Sequence, residues 1–173
     1  SAAALACGVD ADDVRAGLLA FAPLEHRIEP CGQARGIRFV NDSKATNTDA
    51  VSKALTAFVP GSVLILLGGH DKGTELADMA SDVAASARVA VCFGEAGERI
   101  AQALEAQGSV LEVIRAEHME QALDAAIAQA RPGDVVLLSP ACSSFDEFSG
   151  YEERGRVFKG LVAQRIKVME ERQ

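Results

Sequence analysis

Short apolar runs alternate along most of the chain with segments whose apolar residues recur at helical spacing. The runs predict strands at residues 62–67, 88–93, 110–114 and 134–138, and the helical spacing predicts helices at 49–58, 75–85, 97–107, 119–130 and 151–171. Strands that are apolar throughout are typical of a parallel sheet buried on both faces. Strands and helices in this order connect by right-handed crossovers, which place helices on both faces of the sheet.

The first forty residues follow a different pattern. An alanine-rich segment at residues 1–7 predicts a helix that Gly8 ends, and a second helix is predicted at 11–21, between a capping Asp10 and Pro23. Residues 27–30 and 37–40 are strand candidates, and the glycines between them indicate a hairpin. The predicted fold is therefore α/β: an open, mostly parallel, Rossmann-like sheet of about six strands, with helices on both faces and an antiparallel edge strand. We expect residues 1–23 to be the tail of a preceding domain and residues 24–173 to form one domain.

Charge and composition narrow the possible functions. Lys+Arg is 17 and Asp+Glu is 25, so the net charge is −8, and a broad basic face for nucleic acid is not expected. The longest apolar run, residues 63–67, is far shorter than the ~20 residues of a membrane span, and no secretory signal is expected. Four widely spaced cysteines without a C-x-x-C predict free thiols in a reducing, cytoplasmic compartment.

The loop at residues 41–49 follows a predicted strand and leads into a helix. Ligands bind beyond the carboxyl ends of strands in such sheets. Asp42 can accept hydrogen bonds from sugar hydroxyls or a metal-bound water, and Lys44 beside a helix N-terminus predicts an anion site. Thr46 and Asp49 fit a capping box. Ordinary capping with a solvated lysine is the alternative.

The loop at residues 68–73 follows the next strand. Its two leading glycines allow a tight turn, and Lys72 supplies a positive charge at the strand end. Neither a Walker A motif nor G-x-G-x-x-G occurs in the chain, so the alternative is a glycine turn with exposed charges. No second histidine or cysteine stands at ligand spacing from His70, so no metal site is predicted.

The loop at residues 139–148 carries small hydroxyl residues, which suit carboxylate or phosphate binding. Ser144 is the candidate ligand. Cys142 lacks a neighbouring base and is interpreted as a buried thiol rather than a nucleophile.

Before the first strand, Arg27 can bind a phosphate or form a surface ion pair. Lys44, Thr46, Lys72 and Ser144 together predict a site for a dicarboxylate or acyl phosphate at one edge of the sheet.

These residues, in this order, resemble the C-terminal domain of the Mur ligases. The matching segments are LEHR at 24–27, NDSKATN at 41–47, LGGHDKG at 67–73, LSPACSSFDEF at 138–148 and YEERG at 151–155. They cover the chain from about residue 24 to its end, and the combination is specific. Tyr151 stands where the family often has Phe.

The resemblance is closest to the ligases that join D-glutamate to UDP-N-acetylmuramoyl-L-alanine in peptidoglycan precursor synthesis, using ATP and Mg²⁺ through an acyl phosphate. It implies that Lys72 and Thr46 hold one carboxylate of D-glutamate. Ser144 and the backbone near Tyr151 would hold the other, and Lys44 would lie close to the reacting centre. Arg27 would reach the ATP phosphates and Asp42 the nucleotide.

The resemblance also implies that parts of the enzyme lie elsewhere. The family's P-loop and magnesium-site lysine belong to a central domain, and its UDP-binding domain precedes that; neither has a match here. Residues 1–23 resemble the last helices of the central domain. We therefore expect a monomeric chain that contributes the amino-acid site but binds neither ATP nor Mg²⁺ alone and is inactive alone.

Three alternatives remain open. A sister Mur ligase or a folylpolyglutamate synthetase would share the fold and take another amino acid. A non-catalytic anion-binding module would bind without the other domains. A Cys142-dependent hydrolase would show a selectively reactive thiol.

Overall fold

A six-stranded sheet forms the centre of the molecule in the computed structural model, which describes residues 2–20 and 24–171. The elements in chain order are α1 (Ala2–Ala6), α2 (Ala11–Ala20), β1 (Glu29–Ala34), β2 (Ile37–Asn41), α3 (Thr48–Leu55), β3 (Val63–Gly68), α4 (Ala77–Ser86), β4 (Ala87–Phe93), α5 (Gly97–Glu105), β5 (Glu112–Arg115), α6 (Met119–Gln129), β6 (Val135–Ala141) and α7 (Tyr151–Glu171). The strand order is β1-β2-β6-β3-β4-β5. Among the six described strands, β1 and β2 pair antiparallel and all other neighbours pair parallel. The predicted fold class is confirmed.

Two apolar layers hold the helices against the sheet. One layer combines Val51, Met79 and Ile100, from α3, α4 and α5, with alternate residues of the strands. The other combines Leu123 of α6 and Phe158 of α7 with the intervening strand residues. Both faces of β3 and β6 are fully covered, which explains why these strands have no polar alternation.

The hairpin at the sheet edge differs from its prediction. The strand predicted at 27–30 begins only at Glu29, because Ile28 has a left-handed φ of 44°. Strand β1 then continues to Ala34, and the turn consists of Arg35 (φ 50°) and Gly36 (φ 76°). Two successive residues with positive φ are the geometry of a type I′ hairpin turn. The prediction that residues 31–36 form the connecting loop was therefore wrong, because residues 31–34 belong to β1.

The two N-terminal helices bury no residue, in the part of the chain that the structure describes. Asp10 caps α2 as predicted, because its carboxylate accepts a hydrogen bond from the backbone N–H of Asp12. Pro23 and the expected domain boundary lie outside the described residues. No helix within the described ranges combines the length and apolar character that crossing a membrane requires.

Candidate functional site

Three loops that leave the carboxyl ends of β2, β3 and β6 touch one another at one edge of the sheet. The backbone N–H of His70 donates to the carbonyl of Ser143 at 2.9 Å, which joins the loops after β3 and β6. The ammonium of Lys72 donates to the backbone carbonyl of Thr46 at 3.0 Å, which joins the loops after β3 and β2. The central position of β6 and β3 in the sheet brings these distant segments together.

The start of α7 lies against the loop after β2. The hydroxyl of Ser43 donates to the carbonyl of Tyr151 at 2.8 Å, and the ammonium of Lys44 donates to the hydroxyl of Tyr151 at 2.9 Å. The free N–H groups of a helix N-terminus carry partial positive charge. The site therefore combines lysine charges with a helix terminus, although the whole chain is acidic.

A cavity of about 350 Å³ opens beside this loop, and both residues predicted to face the nucleotide, Arg27 and Asp42, line it. Lys44 lines it as well. The remaining lining residues are Ile28, Ala45, Asn47, Asp49, Ala50, Lys53 and Ala54. Sequence reasoning did not select Lys53. Its place on α3 one turn after Asp49 was the available signal, since residues four apart share a helix face.

Asp42 is a buried carboxyl whose oxygens already have partners. Its Oδ2 accepts from the Ser139 hydroxyl at 2.8 Å, and its Oδ1 accepts from the backbone N–H of Ile28 at 3.2 Å. Burial raises the pKa of Asp42, and these hydrogen bonds and Arg27 oppose that rise. Each oxygen has a second lone pair, so Asp42 can still accept a hydrogen bond from a ligand in the cavity.

Ser144 is buried, with 2% of its surface exposed, and its hydroxyl has no hydrogen-bond partner among the described residues. Buried hydroxyls are nearly always satisfied in folded proteins. The Ser144 hydroxyl, in the loop that touches His70, is therefore a buried donor that no described residue uses.

The predicted capping box at Thr46 and Asp49 is wrong. Helix α3 begins at Thr48, and Asn47 is its N-cap, because the Asn47 side chain accepts from the backbone N–H of Ala50 at 2.8 Å. Asn is as good a cap as Thr, and the sequence gives both residues in succession. Thr46 contributes its carbonyl to Lys72 instead.

Arg99 of α5 ties down the glycine loop that carries Lys72. Its guanidinium binds both carboxylate oxygens of Asp71, at 2.7 Å from Nε and 2.5 Å from one terminal nitrogen, and donates to the carbonyl of Thr74 at 2.8 Å. The hydrogen bonds from Arg99 lower the pKa of Asp71 to about 2. This brace was not predicted, because Arg99 lies 28 residues after Asp71.

Arg154 is fully buried on α7 and was also missed as a site residue. Its guanidinium donates to the Ser43 hydroxyl at 3.0 Å and to the carbonyls of Ser43 (2.9 Å), Cys142 (3.0 Å) and Ser143 (3.3 Å). Burial lowers its pKa to about 10, so it remains charged at neutral pH. Its place four residues before Phe158, on the buried face of α7, was the signal in the sequence.

His26 is the third missed residue that holds the site together. It is buried, and its Nδ1 lies 2.9 Å from the side-chain nitrogen of Asn41, the last residue of β2. Gly155 of α7 packs against its ring so closely that a Cβ there would overlap the imidazole. His26 and Ile28 both have left-handed φ, and this turn places the exposed Arg27 at the cavity.

Two further predictions concern Cys142 and His70. Burial raises the pKa of the Cys142 thiol to about 11, which opposes a role as nucleophile. His70 is partly exposed, and its Nδ1 lies 2.6 Å from a carboxylate oxygen of Glu95. Within residues 2–20 and 24–171, no group of three histidine, cysteine or acidic side chains could hold a metal ion.

The fold is that of an α/β domain in which three loops, two of them carrying lysines, meet at the carboxyl edge of the sheet, where ligands of such domains bind. A family model described as "Mur ligase, glutamate ligase domain" matches residues 26–142, and the chain belongs to this family.

Curated relatives agree with this assignment. The chain is 42% identical over 160 residues to a UDP-N-acetylmuramoylalanine–D-glutamate ligase of Acidobacterium capsulatum, covering 92% of this chain and 34% of the relative. It is 45% identical over 155 residues to the ligase of the same name from Desulfitobacterium hafniense, covering 90% and 34%. The chain therefore spans about a third of the length of these relatives.

Solved structures share the fold at low identity. A UDP-N-acetylmuramate-alanine ligase from Thermotoga maritima superposes with a TM-score of 0.65 at 17% identity, covering 95% of this chain and 36% of that chain. A bifunctional folylpolyglutamate synthase/dihydrofolate synthase from Yersinia pestis gives a TM-score of 0.62 at 17% identity, covering 88% and 34%. These similarities confirm the architecture.

Proposed function

We propose that this chain is the amino-acid-binding domain of an ATP-dependent ligase that joins D-glutamate to UDP-N-acetylmuramoyl-L-alanine. The single observation that carries the proposal is the convergence of three strand-end loops that bring Lys72, Thr46 and Ser144 to one edge of the sheet. D-glutamate carries two carboxylates, and a chain of net charge −8 repels it everywhere except where cations are concentrated. The relatives named for this reaction favour D-glutamate over another amino acid.

In this proposal, each site residue has a role that follows from its charge and position. Lys72, held near Thr46, binds one carboxylate of D-glutamate, and the orphaned Ser144 hydroxyl with the backbone near Tyr151 binds the other. Lys44 lines the cavity and contacts Tyr151, and in this proposal it stabilises charge at the reacting centre. Arg27 at the cavity binds phosphate, and Asp42 binds the nucleotide.

The rest of the enzyme lies outside this chain in the proposal. ATP supplies the phosphoryl group that activates the acceptor carboxylate as an acyl phosphate. The cations around the cavity fit a phosphate ligand, whereas Mg²⁺ and most of the nucleotide would be held by another domain. Residues 1–23 are the tail of that domain, and residues 24–173 form the domain described here. The complete enzyme would act as a cytoplasmic monomer.

The test is a ligase assay on a protein that joins this chain to the other two thirds found in its relatives. Phosphate release from ATP in the presence of UDP-N-acetylmuramoyl-L-alanine is measured with D-glutamate, L-glutamate, L-lysine or meso-diaminopimelate. We expect release with D-glutamate alone. Release with meso-diaminopimelate instead would indicate a sister ligase, and no release with any amino acid would leave only an anion-binding module.

Two lysine variants test whether the activity in this assay depends on the candidate site. Lys72→Met removes a charge-assisted contact, so we expect the KM for D-glutamate to rise about tenfold to a hundredfold. Lys167→Met is the matched control, because Lys167 is an exposed lysine on α7, far along that helix from Tyr151. An equal effect of both variants would contradict the assignment of Lys72.

A further inference from the structure

Lys44 and Tyr151 make a contact that the reaction as described so far does not explain. The Lys44 ammonium donates a hydrogen bond of 2.9 Å to the Tyr151 hydroxyl and also lies 4.6 Å from the centre of the tyrosine ring. Together the two distances place the ammonium at the hydroxyl end of the ring, so the hydroxyl holds it.

Tyr151 is itself held in place by groups on its other sides. Its carbonyl accepts from the Ser43 hydroxyl at 2.8 Å, and Ser43 also accepts a hydrogen bond from the buried Arg154. The imidazole of His26 packs edge-on against the tyrosine ring, with centroids 6.0 Å apart and planes at 82°. These contacts make Tyr151 a fixed platform rather than a mobile surface side chain.

A fixed platform matters because lysine is flexible. Its four-carbon stem loses rotamer entropy when the ammonium is fixed. A ligand that meets an already oriented ammonium avoids part of this cost. A phenol is neutral, so it orients Lys44 without cancelling its charge, as a carboxylate partner would.

We propose that Tyr151 is a positioning residue for Lys44, and that its hydroxyl fixes the ammonium at the edge of the cavity lined by Arg27 and Asp42. The ligand that meets this ammonium is an anionic phosphoryl or carboxylate group; this part of the inference rests on the proposed function. The contact between Lys44 and Tyr151 does not.

The composition makes the contact directly observable. Tyr151 is the only tyrosine, and the chain has no tryptophan and five lysines. Tyrosine absorbance and fluorescence therefore report Tyr151 alone, and the lysine side-chain NMR signals are few enough to assign by substitution.

The first experiment records both signals on the 173-residue chain. Lys44→Met should change the tyrosine spectrum, whereas Lys53→Met should not, because Lys53 lines the same cavity without contacting Tyr151. Tyr151→Phe should move the Lys44 methylene signals towards those of an exposed lysine. Ser149→Ala should leave them unchanged, since it removes a hydrogen bond to Glu153 at the start of the same helix. Unchanged Lys44 signals in Tyr151→Phe would overturn the proposal.

The second experiment is a double-mutant cycle with inorganic pyrophosphate as the probe. Tyr151→Phe should weaken pyrophosphate binding about fivefold, the equivalent of one ordinary hydrogen bond. In the Lys44→Met background the same substitution should have no effect. An equal loss in both backgrounds would mean that Tyr151 only supports the fold, and would overturn the proposal. If the unmodified chain does not bind pyrophosphate, the anion-site part of the proposed function fails, while the lysine spectra still decide the positioning role.

Discussion

Arg154 is a buried charge whose hydrogen bonds go to a hydroxyl and backbone carbonyls, which makes it a junction between loops. Its guanidinium binds the loop after β2 through Ser43 and the loop after β6 through Cys142 and Ser143. Burying a charge is costly unless hydrogen bonds compensate for lost water. Arg154 therefore links the two segments that carry Lys44 and Ser144.

Arg154→Met should lower the free energy of unfolding by about 2–4 kcal/mol, because buried carbonyls lose their donor. The measurement is denaturant unfolding of both variants. The matched control is Arg165→Met on the same helix, where the arginine pairs with Glu120 and Asp124 near the surface. It should cost less than about 1 kcal/mol. Equal losses of unfolding free energy would show that Arg154 stabilises the fold no more than the surface arginine does.

Cys142 provides a prediction about reactivity and pH. Since burial raises its pKa to about 11 from an ordinary 9.0, its thiolate fraction at pH 8 is about a hundredfold below that of an ordinary thiol. Alkylation followed by mass spectrometry should label the exposed Cys7 first. Labelling of Cys142 should become faster as the pH rises towards 11. Rapid, selective labelling of Cys142 at pH 7 would support the hydrolase alternative instead.

Helix α7 is the element that joins most parts of the site. Tyr151 begins it, and Arg154 and Gly155 face inward one turn later. The absence of a side chain at Gly155 lets the helix approach the buried His26 ring, whose neighbouring residue Arg27 lines the cavity.

Two glycine substitutions on α7 distinguish the effect of this close packing on stability from the effect of helix propensity. Gly155→Ala would place a methyl group inside the His26 ring, so we expect a loss of about 1–3 kcal/mol of stability. Gly160→Ala meets no atom within 4 Å and should stabilise the helix by about 0.5–1 kcal/mol. Thermal unfolding of both variants measures the difference. A stabilising Gly155→Ala would refute the close approach.

The sequence predicted elements well where periodicity was strong and poorly where a turn decided the boundary. The predicted range of α7 matches the structure, and the strands β3 to β6 were all located. The hairpin and its second strand were located, but its turn was placed over residues 31–36 and not at Arg35-Gly36 alone, because that pair lacks the usual asparagine or aspartate of a type I′ turn. The start of α3 was shifted because Thr46 and Asn47 are both good caps.

The sequence singled out Lys44, Lys72 and Ser144 as candidate site residues but did not reveal the residues that support their loops. Lys44, Lys72 and Ser144 follow strands directly, so the topology of a parallel sheet brings their loops together. His26, Arg99 and Arg154 act through contacts across 15, 28 and 111 residues of chain. Single-sequence patterns describe neighbours along the chain, so they could not reveal these contacts.

The molecule as a whole is acidic, but several cations lie close together at the carboxyl edge of the sheet. The net charge of −8 makes the concentration of Arg27, Lys44, Lys53 and Lys72 around three loops stand out. In the proposed function, these cations and a helix N-terminus attract a small dianion while the acidic remainder of the surface repels larger polyanions. This distribution favours a small acidic substrate over nucleic acid.

The central claim, that this edge binds D-glutamate, is tested most directly by an NMR titration of the 173-residue chain with D-glutamate. We predict amide shifts for Thr46, Lys72 and Ser144 that saturate together, are lost in Lys72→Met and persist in Lys167→Met. The same titration with meso-diaminopimelate should give none of these shifts. Shifts near Lys72 and Ser144 with meso-diaminopimelate but not with D-glutamate would contradict the claim.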